Sequence, residues 1–231
     1  MVQLRSFQIS RDNFNEKLGS GFPEDSLVLI EGVSGSGKSI VSQRIAYGLA
    51  ENETSVTYIS TQMTTKGFIN QMYSLDYQIS SHLLNGNMLY IPVIPLVKNT
   101  RQSMDFIQKL MNAEDLFEKD VIIIDTISSL IKNSVNSEKG FDLVSFFKRL
   151  NGMDKTIIMT LEPGSLDEEI VTMLRSSSDI NLSLNVKQMS NQVRRMLTVN
   201  KFIGAQATIG DIIGIRIEPK VGLVVEIAAV S

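Results

Sequence analysis

No cysteine occurs among the 231 residues. That excludes disulfides, thiolate nucleophiles and zinc–thiolate sites, and it removes any sign of an oxidising compartment. Basic residues are in slight deficit, 22 Lys and Arg against 25 Asp and Glu, for a net charge of −3. A chain that lives by neutralising phosphate backbones carries a basic excess, so no nucleic-acid partner is expected. Long apolar runs are missing too, and stretches such as Val121 to Ile124 are far too short to span a bilayer. Met1 to Ser6 lack the apolar core of a secretory signal. The expectation is a soluble cytoplasmic protein that meets a membrane only through a partner. The single histidine, His82, has no second ligand near it in sequence and is expected to be an ordinary surface or core residue.

With 43% hydrophobic and 20% charged residues, the composition suits a globular protein with a sizeable core. No internal repeat, low-complexity segment or linker interrupts residues 1–231, which therefore read as one domain. The 11 methionines are expected to fill that core.

The run Gly32-Val33-Ser34-Gly35-Ser36-Gly37-Lys38-Ser39 fits the spacing G-x-x-x-x-G-K-[ST] of a P-loop. Glycines let the backbone curl so that successive N–H groups point at phosphate oxygens. Lys38 brings a cation to the β- and γ-phosphates, the Ser39 hydroxyl is placed to ligate Mg²⁺, and the following helix adds its positive end. The flanks agree. Leu27 to Ile30 is a continuous apolar run, as in a buried parallel strand. Ile40, Val41, Ile45, Ala46 and Leu49 recur at helical spacing. The candidate nucleotide-binding residues are this run together with Ile40.

Downstream, strand and helix patterns alternate. Strands are predicted at Val56 to Ser60, Met88 to Val93, Val121 to Asp125 and Thr156 to Leu161, and Pro92 sends the second of these to a sheet edge. Helices are predicted at Thr64 to Leu75, Thr100 to Ala113 and around Phe141 to Leu150. Ser165-Leu166-Asp167-Glu168 has capping-box spacing and is expected to open another. After Ser178 four strands follow: Asp179 to Val186, Val193 to Phe202, Ile212 to Glu218 and Gly222 to Ala229. The last two form a hairpin through Pro219-Lys220-Val221. The pattern predicts an α/β fold: a mostly parallel central sheet flanked by helices, with a C-terminal antiparallel extension. Asp125 ends its apolar strand beside the P-loop, where an acid can hold Mg²⁺ directly or through water.

These features resemble the RecA/KaiC superfamily of ring-forming ATPases, and within it the archaellum (archaeal flagellum) accessory ATPases. The resemblance runs over nearly the whole chain. It includes Arg11-Asp12-Asn13, Leu18-Gly19-Ser20-Gly21-Phe22-Pro23, Asp125-Thr126-Ile127-Ser128-Ser129, Met159-Thr160-Leu161-Glu162, the strand Arg195 to Lys201 and the hairpin Gly214 to Val225. It implies ATP and Mg²⁺ as ligands, with Mg²⁺ on Ser39 and Asp125. It also implies a homo-oligomeric, hexameric ring at the archaellum base, whose partners are the motor ATPase FlaI and a membrane-anchored ring protein.

Two positions depart from the family pattern. Gln62 stands where the resemblance implies a water-activating glutamate, and an amide orients water without taking its proton. Lys201 matches the first residue of a Lys-x-Arg pair that reaches a neighbouring subunit's γ-phosphate, but Ile203 replaces the arginine. An arginine finger is worth about 10³–10⁵ in rate. The expectation is a nucleotide switch with weak or absent hydrolysis. The alternatives are an active KaiC-like ATPase or autokinase, or a recombinase relative. Arg194-Arg195 is open between a nucleotide or nucleic-acid contact and a solvated strand face. Asp167-Glu168-Glu169 is expected to stabilise a helix start rather than to form a catalytic pair.

Overall fold

A computed structural model describes residues 3–93, 106–189 and 192–226. The chain opens with strand β1 (Leu4–Arg5), helix α1 (Phe14–Lys17) and strand β2 (Phe22–Pro23). Strands and helices then alternate through β3 (Leu27–Gly32), α2 (Lys38–Glu51), β4 (Val56–Ser60), α3 (Thr65–Ser74), α4 (Ser80–Leu84) and β5 (Met88–Pro92). Next come α5 (Phe106–Met111), β6 (Val121–Asp125), α6 (Ile127–Ile131), α7 (Ser137–Asn151), β7 (Thr156–Leu161) and α8 (Glu168–Ser177). The tail is all strand: β8 (Ile180–Met189), β9 (Gln192–Phe202), β10 (Ile212–Glu218) and β11 (Gly222–Glu226).

Nine of these strands form one sheet in the order β11-β10-β9-β8-β3-β7-β6-β4-β5. Every pair from β8 to β5 is parallel, because helical crossovers return each strand in the same direction. From β8 to β11 the chain meanders and the pairs are antiparallel. Helices cover both faces of the parallel part, so both faces must be apolar. Hence β3, β4, β6 and β7 are buried along their whole lengths. Alternate residues enter opposite layers. Val28, Ile30, Tyr58 and Ile123 join the core under α2 and α3. Leu27, Leu29, Ile122 and Ile124 join the core under α7 and α8.

The N-terminal segment wraps over α2. Phe7 lies 4.9 Å from Phe22 and 6.1 Å from Phe14 between ring centres. Arg44 of α2 is fully buried and holds Asp12 through Nε at 2.8 Å and Nη2 at 2.7 Å, with Nη1 on the Phe7 carbonyl at 2.9 Å.

β5, which carries Pro92, is the edge strand that its proline predicts. Thr64 caps α3 by accepting the Gly67 N–H at 3.1 Å. The capping-box expectation at Ser165 needs correction. Ser165 still belongs to the turn after β7, where its N–H donates to the Glu162 carbonyl at 3.2 Å. α8 starts at Glu168 instead, after Asp167, whose side chain makes no cap bond. Of the helix expected over Thr100 to Ala113, α5 covers Phe106–Met111, and 100–105 lie outside the described residues, as do 227–229 of the last strand. The short helices α1, α4 and α6 were not anticipated; four or five residues carry too little periodicity to register.

Candidate functional site

β3 delivers its last residue, Gly32, to a turn that closes on α2. Gly35 has φ +76° and Gly37 φ +103°, a left-handed backbone that glycine adopts without Cβ strain. Gly37 is the N-cap of α2 and gives no side-chain cap, so the first amides of the helix stay available. A Cβ on Gly35 would meet nothing within 4 Å, which leaves the mouth of the loop open. Val33 and Ser34 are exposed at that mouth, Ser36 is buried, and Ile40 turns inward against the core under α2. The buried Ser36 hydroxyl has no hydrogen-bond partner. An open loop of uncapped amides with an orphan hydroxyl fits an anionic ligand.

Lys38 is buried, and its Nζ donates to the carbonyls of Gly32 at 2.5 Å and Val33 at 2.9 Å. Burial pulls its ammonium below the ordinary lysine value, while the carboxylates of Glu162 and then Asp125 pull it back up. Asp125 is 1% exposed at the end of β6. Its Oδ1 accepts from Thr160 Oγ1 at 2.7 Å and Ser39 Oγ at 3.1 Å, and its Oδ2 accepts from Tyr58 at 3.0 Å. Burial pushes Asp125 above the usual carboxylate range, opposed by these three hydroxyls and by Lys38. Tyr58 shares a further hydrogen bond with Ser42 of α2 at 2.8 Å. Ser39 and Asp125, each named from sequence as a candidate Mg²⁺ ligand, are thus in direct contact. An oxygen-only donor pair of hydroxyl and carboxylate is the set that Mg²⁺ prefers.

Gln62 follows β4, two residues beyond Ser60, which lies opposite Asp125 in register. Its backbone N–H donates to Ser60 Oγ at 3.2 Å, and its side chain is exposed. Lys201, expected to reach outward, is turned onto its own chain. Its Nζ donates to the carbonyls of Ser178 at 2.5 Å and Ser176 at 3.2 Å, at the end of α8. Ile203 is 54% exposed. Of the arginine pair, Arg194 is exposed, whereas Arg195 lies against the P-loop. A Cβ on Gly37 would sit 3.5 Å from Arg195 Cδ and 3.4 Å from Ile217 Cδ1. Arg195 Nε is buried without a partner. Ile217 was missed because β10 reaches the loop only through the tertiary meander.

A second missed group borders the loop. Glu31, in the fully buried strand β3, is held by Arg175 of α8 at 2.8 Å and by Asn181 of β8 at 3.0 Å. A charged residue inside an apolar strand was the available signal. His82 pairs with Glu51 at 2.8 Å, far from this end of the sheet. Among the described residues no cluster of His, Asp and Glu could hold a metal ion by itself. Among them, too, no helix is long and apolar enough to cross a membrane. Glu168 and Glu169 sit in the first turn of α8 and Asp167 at its cap, as expected of dipole stabilisers.

A parallel sheet whose P-loop strand and Asp125 strand flank β7, extended by an antiparallel meander, defines a KaiC-type P-loop protein. The KaiC ATPase family model matches residues 10–226. The archaeal flagellar ATP-binding protein FlaH of Methanocaldococcus jannaschii is 40% identical over 231 residues, covering 100% of this chain and 99% of that one. FlaH of Methanococcus voltae is 39% identical over 230 residues, covering 100% of both. The crystal structure of the flagellar accessory protein FlaH from M. jannaschii superposes with a TM-score of 0.92 over 98% of this chain and 100% of that one, at 40% identity. A KaiC-like protein from Pyrococcus horikoshii shares the fold, with a TM-score of 0.76 at 18% identity over 98% of this chain and 100% of that one. The chain belongs to the KaiC ATPase family, and within it to the FlaH archaeal flagellar proteins.

Proposed function

We propose that residues 1–231 form one nucleotide-binding unit, an ATP-binding ring subunit of the archaellum motor that acts as a switch, with weak or absent ATP hydrolysis. One observation carries this reading: the P-loop and Asp125 are assembled, yet the side chains at the ends of β4 and β9 are those of Gln62 and Ile203. The loop amides and Lys38 would hold the phosphates. Ser39 and Asp125 would hold Mg²⁺, which supplies charge neutralisation when bound. Arg195 and Ile217, packed on Gly37, would border the bound nucleotide.

The names of the FlaH relatives support the archaellum as the setting. The expected partners are further copies in a hexameric ring, the motor ATPase FlaI and a membrane-anchored ring protein, with the subunit at the cytoplasmic base. For Lys201 to reach a neighbour's phosphate it must leave the carbonyls of Ser176 and Ser178. Charged hydrogen bonds of that kind are worth roughly 1.5–3 kcal/mol, so ATP at a subunit interface must offset that loss. That requirement makes ring closure conditional on nucleotide. The test is phosphate release from purified protein loaded with Mg-ATP. Turnover near or above about one per second, an ordinary enzyme rate, refutes the switch.

A further inference from the structure

We propose that Glu162 is a catalytic residue, the carboxylate that takes the proton of the water attacking the γ-phosphate. This rests on the nucleotide reading above and deepens it, because a switch that turns over slowly needs a base and Gln62 cannot be one.

Strand order sets the geometry. β7 lies between β3, which leads into the P-loop, and β6, which ends at Asp125. Leu161 pairs with Glu31, so the next residue, Glu162, emerges alongside Gly32 at the start of the loop. Residues two apart on a strand share a face. Thr160 reaches Asp125 at 2.7 Å from that face, and Glu162 continues it one step nearer the mouth. The backbone there is held from both sides. The Glu162 N–H donates to Ser128 Oγ at 3.2 Å, and the Glu162 carbonyl accepts from the Ser165 N–H at 3.2 Å and from the Ser165 hydroxyl. The side chain is half-buried, and its charge is the leading acidic influence on Lys38, ahead of Asp125. A carboxylate that emerges beside the first residue of the P-loop, close enough for its charge to act on Lys38, lies at the end of the sheet where that ammonium is there to hold the terminal phosphate.

The other carboxylates carried by β3, β6 and β7 are engaged. Asp125 accepts from three hydroxyls, and Glu31 is bound by Arg175 and Asn181. A lone pair of the water oxygen forms the new bond to the γ-phosphorus. The bond from that phosphorus to the β,γ-bridging oxygen breaks, and its electron pair stays on that oxygen as a terminal oxygen of ADP. The water proton passes to the Glu162 carboxylate and then to solvent, leaving inorganic phosphate.

The experiment is single-turnover hydrolysis with protein in excess over radiolabelled Mg-ATP, followed for hours, with ATP affinity measured in parallel by calorimetry. Glu162→Gln should slow phosphate release by about 10²-fold or more, while ATP affinity stays within a few-fold or tightens. Glu162→Asp should recover part of the rate. Equal rates for the parent and Glu162→Gln, or no release from a parent that binds ATP, overturn the role of Glu162 alone. A parent that binds no ATP overturns the nucleotide reading and this role together.

Discussion

The Lys38 ammonium rests 2.5 Å from the Gly32 carbonyl and 2.9 Å from that of Val33, inside a loop otherwise made of amides. Its removal takes the only ammonium out of the loop and leaves Arg195, packed on Gly37, as the nearest cation. Lys38→Ala should weaken ATP binding by at least about a hundredfold, the equivalent of roughly 3 kcal/mol, in isothermal titration. Unchanged affinity would remove Lys38 from the site. Gly48 gives a test in which two effects compete. Alanine is favoured over glycine inside a helix by about 1 kcal/mol. But a Cβ at Gly48 would collide with the Phe7 carbonyl and lie 2.6 Å from Arg44 Nη1, and Arg44 pins both of those elements together. Overpacking costs about 1–3 kcal/mol, so collision outweighs propensity when the backbone cannot retreat. Gly48→Ala should lower the Tm by roughly 2–8 °C in a thermal melt; a raised Tm would mean the N-terminal segment is not seated on α2. At this scale the P-loop residues were legible because motif and turn are local. Arg195, Ile217 and Glu162 were not legible as neighbours of the loop, because each arrives from another strand.

Among the elements, β4 and β6 are tied at both ends. At the carboxyl end the Thr61 N–H donates to the Asp125 carbonyl at 2.7 Å. At the other end Asp120 Oδ2 accepts from the Ser55 N–H at 3.1 Å and its hydroxyl at 2.6 Å. Burial pushes the Asp120 carboxyl upward, but the Ser55 bonds, Arg5 and Lys155 together hold it below the ordinary carboxylate value. A folded-state value below the unfolded one adds stability that is present above about pH 4 and is lost as pH falls through the folded value. Asp120→Asn should therefore melt below the parent at pH 6, and the gap should close on acidification below about pH 4. A gap that stays constant down to pH 3 would mean that ionised Asp120 contributes nothing. Both strands were legible for local reasons: β6 is four consecutive apolar residues ended by an acid, and β4 is rich in β-branched and aromatic residues. The start of α8 was not, because the turn Glu162 to Ser165 uses the Ser165 hydroxyl before any helix can.

For the whole molecule, the open question is what nucleotide does to assembly. Lys201 spends its ammonium on the end of α8, and Ile203 stands exposed beside it in sequence. A ligand that gives Lys201 a better acceptor across an interface should shift the population towards a ring by its affinity difference between states. Solution mass measured with ATP, with ADP and without nucleotide should show the larger species only with ATP. Lys201→Ala should abolish that shift while leaving binding to the single subunit intact. A mass independent of nucleotide would discard the ring switch. The amino-acid order alone determined the strands, the P-loop and the alternation that forces a parallel sheet, because each is a pattern over a few neighbouring residues. Only the tertiary structure decided that β7 lies between the P-loop strand and the Asp125 strand, that Glu162 emerges alongside Gly32, and that Lys201 caps its own chain. Those contacts depend on strand order and register, and no local pattern encodes which distant strand becomes a neighbour.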